Sequence, residues 1–68
     1  METTEIIEII NSEIPYCLAS EENGIIVVVV RAKRNDRVFI KDGEVSYKGK
    51  CITVAGQIAD RFNLVKNF

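Results

Sequence analysis

Sixty-eight residues make one domain, residues 1–68, with the composition of a globule: 47% hydrophobic and 28% charged, with four Gly and a single Pro. Histidine is absent, which removes Ser-His, Cys-His and most catalytic zinc arrangements in one step. The longest purely apolar run is six residues, far short of the ~20 a membrane helix needs.

Net charge is only −1, but it is unevenly spread. Residues 1–30 hold six Glu and no Lys or Arg, whereas residues 31–50 hold seven basic side chains. These are Arg31, Lys33, Arg34, Arg37, Lys41, Lys48 and Lys50, set against Asp36, Asp42 and Glu44. The first half is therefore acidic and the middle basic.

Residues 3–14 read as an amphipathic helix. Ile6, Ile7, Ile10 and Ile14 fall on one face, Ile9 widens it, and Glu5, Glu8, Asn11 and Ser12 take the other. Thr3 or Thr4 is expected to cap the first turn, and Pro15, which disfavours α geometry at Ile14, to end the helix. Tyr16 to Ser20 then reads as a short strand, and Asn23-Gly24 as a two-residue hairpin turn.

The most informative stretch follows. Ile25 to Val30 is six β-branched residues in succession, continuing as a strand to about Ala32. Such residues lose χ1 freedom in a helix and fit a pleated strand. A strand apolar at every position has two faces to cover. Lys33-Arg34-Asn35-Asp36 reads as a polar, solvated turn, and Val38-Phe39-Ile40 as a third strand whose Phe39 belongs to the core. Asp42-Gly43 signals a second hairpin. Glu44-Val45-Ser46-Tyr47 alternates like a strand with one wet face, Tyr47 siding with Val45. Lys48-Gly49 makes a further turn into a fifth strand, Lys50 to Thr53. Thr53 would cap a last helix to about Asn63, with Ala55, Ile58, Ala59 and Phe62 on its buried face and Gly56 weakening it. Leu64, Val65 and Phe68 form an apolar tail that docks.

The expected fold is α+β: a small antiparallel meander of four to five strands with an N-terminal and a C-terminal helix packed on the sheet. The alternative is an SH3-like barrel with flanking helices. One helix on each side of the sheet would complete a monomer. Both on one side would leave an apolar patch in need of a partner.

Catalysis is not expected. Glu21-Glu22 lies in a turn, no carboxylate spacing matches a calcium loop, and no Gly-rich loop cradles phosphate. No cofactor or metal site is expected either. Cys17 and Cys51 form no C-x-x-C pair and read as reduced, buried apolar groups. The acidic N-terminus has no signal-peptide character, which makes the cytoplasm the default location.

The expected role is therefore a non-enzymatic interaction protein that binds and modulates or inhibits a larger protein. Compact chains without catalytic motifs are common among accessory proteins of phages and mobile elements, inhibitors of host defence included. Homodimerisation through the sheet is the simplest use of surplus apolar surface. Contact residues are expected in the basic turns: Arg31, Lys33, Arg34, Arg37, Lys41, Lys48 and Lys50. The competing reading places the same residues on the phosphates of a nucleic acid, although pI ≈ 5.3 lacks the basic footprint of a dedicated binder.

Overall fold

The computed structural model describes residues 1–33 and 35–68. Among these, two helices and a five-stranded sheet follow one another as α1 (Thr3–Glu13), β1 (Cys17–Glu22), β2 (Ile25–Val30), β3 (Arg37–Lys41), β4 (Glu44–Lys48), α2 (Ile52–Phe62) and β5 (Val65–Lys66). The sheet order is β1-β2-β3-β4-β5, antiparallel except for the parallel β4–β5 pair. This is the expected α+β meander with both helices packed on it. The strands stay in an open row, with β1 and β5 at its edges, and do not close into a barrel.

The hairpin signals do what their chemistry requires. Asn23 and Gly24 have φ of 53° and 81°, and Asp42 and Gly43 of 51° and 76°. Two successive left-handed residues give the tight turn whose twist matches that of the flanking strands. The registers follow: Glu22 opposite Ile25, and Lys41 opposite Glu44.

Several expectations need correcting; among them, Glu21-Glu22 is not a turn but the end of β1, and Thr53 lies inside α2 instead of capping it. Neither Thr3 nor Thr4 caps α1; the N-cap is Glu2, whose side chain makes no capping bond. The Lys50–Thr53 strand does not form. Gly49, at φ 95°, turns the chain into α2, which starts at Ile52 with Cys51 as N-cap. The fifth strand comes instead from the tail. Asn63 ends α2 in the left-handed region at φ 54°, Leu64 N–H donates back to Ala59 O, and Val65–Lys66 run beside β4. Finally, Asp36 is no solvated turn residue but is 8% exposed. Its Oδ1 accepts from the backbone N–H of Lys50, tying the start of β3 to the loop before α2. Pro15 behaves as expected, with Ile14 extended just beyond the helix.

The core lies on one side of the sheet. Ile6 and Ile10 of α1 and Ala55, Ile58 and Ala59 of α2 pack with Cys17, Ala19, Ile26, Val28, Val30, Val38, Ile40 and Val45. Helix α1 covers β1 and α2 covers β4. Leu64 seals the margin of this core, and Phe68 stands edge-on against Tyr47 with ring centroids 5.3 Å apart. Arg61 on α2 reaches Glu13 at the end of α1 at 3.2 Å, which joins the helices over the same face.

Candidate protein-interaction face

The opposite face has no helix on it. Period-2 alternation assigns its residues. In β2 the burial pattern alternates, with Ile26, Val28 and Val30 buried and Ile25, Val27 and Val29 only half-buried. The registers carry the alternation across the sheet in three rows. Leu18, Val29, Arg37 and Lys48 form the first. Ser20, Val27, Phe39 and Ser46 form the second. Glu22, Ile25, Lys41 and Glu44 form the third. The result is an apolar centre of Ile25, Val27, Val29, Phe39 and Leu18, the last 54% exposed, inside a charged rim.

Phe39 is thus placed differently from the sequence expectation. It shares its face with Val27, not with Val38 and Ile40, and is half-buried. A local run of three apolar residues cannot say which member points inward; only the register does.

The seven expected contact residues separate into groups. Arg37 and Lys48 are strand residues adjacent in register on the open face, not turn residues. Arg31 and Lys33 lie beside them in the β2–β3 connection, and Lys50 follows Gly49; all three are exposed. Together these make one basic end of the sheet. Arg37 also donates to the backbone oxygen of Asp36. Lys41 sits apart, at the opposite end of β3, in register with Glu44. Arg34 lies outside the described residues.

Tyr16, expected to open the first strand, instead lies in the turn just before β1. It is 72% exposed and holds φ 62°, a left-handed conformation that is costly for a bulky aromatic residue. Its carbonyl accepts from Arg31 N–H at 2.8 Å, so the strained turn is fastened to the basic end. With Leu18 and Arg31 it lines a shallow cleft of about 380 Å³ that also takes in Asn11 to Pro15. An exposed Tyr beside an Arg is a pair of residue types enriched at protein interfaces. No local pattern announces this, because the strain arises from the turn between Pro15 and β1.

The two thiols are buried and unbonded to each other. Burial pushes both up from the ordinary thiol value; the proximity of Cys51 adds to the shift of Cys17, and Asp36 adds to that of Cys51. Cys51 Sγ lies 3.4 Å from Arg37 O and 3.5 Å from Lys48 O, a weak donor placed between strand ends. Such thiols are packing groups, because it is the thiolate that reacts. Among the described residues no cluster of three or more His, Cys, Asp or Glu side chains is placed to hold a metal ion, and no helix is long and apolar enough to cross a membrane. Compared with known proteins, the chain matches no family model, no curated protein and no solved structure.

Proposed function

We propose that this chain is a non-enzymatic interaction module that binds a larger protein through the open face of its sheet and modulates or inhibits it by occupying a surface. The observation that carries the reading is the one-sided core. Both helices cover the face of Ile26, Val28 and Val30, and Ile25, Val27, Val29, Phe39 and Leu18 face outward. Contiguous apolar surface rimmed by charge is what an interface offers before its partner arrives. The basic end, with Arg31, Lys33, Arg37, Lys48 and Lys50, would steer the encounter, and the apolar centre would set the lifetime of the complex.

The competing reading assigns the same basic end to a nucleic acid. Its support is the register that brings Arg37 and Lys48 side by side, with Phe39 in the next row as a stacking ring. Glu22 and Glu44 at the far end of the same face weigh against it, since phosphates running along the strands from the basic end would approach them.

One pair of measurements tests the function. An immobilised chain retains a defined protein from its natural host, and a folded Val27→Asp variant releases it. Titration with DNA and RNA at low salt shows no binding. Retention unchanged by Val27→Asp removes the open face from the function. Nucleic-acid affinity that falls by orders of magnitude between ~50 and ~200 mM salt transfers the function to the basic end.

A further inference from the structure

We infer that in the free protein the open face is covered by a second copy of this chain, packed sheet against sheet about a two-fold axis that runs across the strands. The inference rests on reading this face as an interface and names its occupant.

Charge selects the arrangement. The registers gather Arg31, Lys33, Arg37, Lys48 and Lys50 at one end of the strands. At the other end lie Glu21, Glu22, Asp42 and Glu44, with Lys41 among them and Lys66 of β5 nearby, paired with Asp60 of α2. A two-fold axis between two stacked sheets runs either along the strands or across them. An axis along the strands lays basic end on basic end. An axis across them reverses the strand direction and lays each basic end on the acidic end of the other copy. The face is complementary to itself in the second arrangement and repels itself in the first.

Side chains fall into place accordingly. The central row of Ser20, Val27, Phe39 and Ser46 meets its own copy, so Val27 packs on Val27 and Phe39 on Phe39 of the second copy, along the axis. The row of Leu18, Val29, Arg37 and Lys48 meets the row of Glu22, Ile25, Lys41 and Glu44. Val29 then packs on Ile25, and Lys48 meets Glu44 of the second copy. Arg37 opposite Lys41 is the like-charged exception, relieved by Glu44 on the neighbouring strand.

Size sets the strength. Four strands at ~4.8 Å spacing and five residues at ~3.3 Å give a patch of roughly 15–20 Å on each side. Two such patches cover roughly 450–800 Å² together, below the ~1,200 Å² at which standard specific interfaces begin, so the contact is a weak one. Area alone does not set affinity, but a contact this small associates weakly, so the dimer forms only at high protein concentration.

Sedimentation equilibrium on the intact chain from ~5 to ~500 μM tests the inference. The wild type shifts from monomer to dimer over that range, and a folded Val27→Asp variant stays monomeric. Lys48→Glu and Glu44→Lys, both at exposed sites, each weaken self-association by roughly tenfold, because each brings like charges together twice across the axis. Mixed in equal amounts, these two variants form a heterodimer of near wild-type affinity, since both contacts are again opposite in sign. A wild type that stays monomeric at ~500 μM overturns the inference. So does a dimer whose charge variants fail to rescue one another. The first result leaves the open face available to another protein, a reading that fails separately when Val27→Asp leaves retention of that protein intact.

Discussion

At the scale of single residues, neighbouring positions on β2 have opposite meanings. Val28 has no accessible surface, and Val27, one step along, is half-buried on the face without helices. Val28→Asp should unfold the chain, because an unpaired carboxylate in that core costs more than the roughly 3–5 kcal/mol a domain of this size has to spare. Val27→Asp should keep the far-ultraviolet circular dichroism of the native fold at a cost of about 1 kcal/mol. The glycines divide in the same way. Gly56 lies in α2 with nothing within 4 Å of the place a Cβ would occupy. Gly56→Ala should therefore stabilise the protein by about 0.5–1 kcal/mol and raise the thermal midpoint by several degrees. Gly49 holds φ +95°, and a Cβ there would run into the carboxylate of Asp36. Gly49→Ala should lower the midpoint, at a cost of about 1–3 kcal/mol. The buried thiols make a prediction about pH. Their folded pKa values are raised, so their contribution to stability is complete below the unfolded thiol value of ~8.5 and is lost as pH rises through the higher folded values. Stability should decline above pH ~9, and a thiol reagent at pH 7 should label Cys17 and Cys51 only when the chain unfolds.

At the scale of elements, the β1 edge of the sheet is protected by the side chain of Asn11. Asn11 of α1 accepts from Ala19 N–H at 2.7 Å and donates to Ala19 O at 3.1 Å, taking the place of a neighbouring strand along β1. An exposed edge is a template for unwanted pairing, and this amide blocks its middle. Asn11→Ala should cost about 1–2 kcal/mol, speed hydrogen exchange at the Ala19 amide and increase aggregation on heating. The sequence makes Asn11 look like an ordinary residue on the wet face of a helix, because its partner lies eight positions away on another element. Other parts were readable. Ile25 to Val30, Asn23-Gly24, Asp42-Gly43 and Pro15 each carry a local preference that fixes a strand, a turn or a helix end. What failed locally was decided at a distance. Lys50 to Thr53 has strand-like residues, but Gly49 and the carboxylate of Asp36 turn it into α2. Val65–Lys66 is too short to announce itself and forms because Leu64 anchors the tail beside β4. The basic residues of the candidate site were visible from composition. Their gathering at one end, and the outward face of Phe39, depend on register alone.

At the scale of the molecule, the one-sided core would link stability to the association inferred above. The chain has a radius of gyration of 10.4 Å, and both helices lie over the same side of its sheet. Folding therefore leaves the outward side chains of β2 and β3 half in water, and the burial they forgo is a sizeable share of what so small a domain can gather. In the inferred dimer, a second copy would supply that burial only to the folded state, since an unfolded chain has no sheet face to present. Association must then raise the unfolding midpoint with protein concentration. Once the dimer dominates, a hundredfold rise in concentration adds up to ~1.4 kcal/mol per chain, which in a domain of this length moves the midpoint by several degrees. Calorimetric scans between ~10 μM and ~1 mM should show this climb for the wild type and a flat midpoint for Val27→Asp. The comparison separates two effects that a single scan confounds. A variant lower at every concentration but parallel to the wild type has lost intrinsic stability, whereas one that meets it at the dilute end and falls away at the concentrated end has lost its partner. Val27→Asp should show both, a small constant offset and the missing slope, and a wild-type midpoint that does not move with concentration would mean that the open face stays wet.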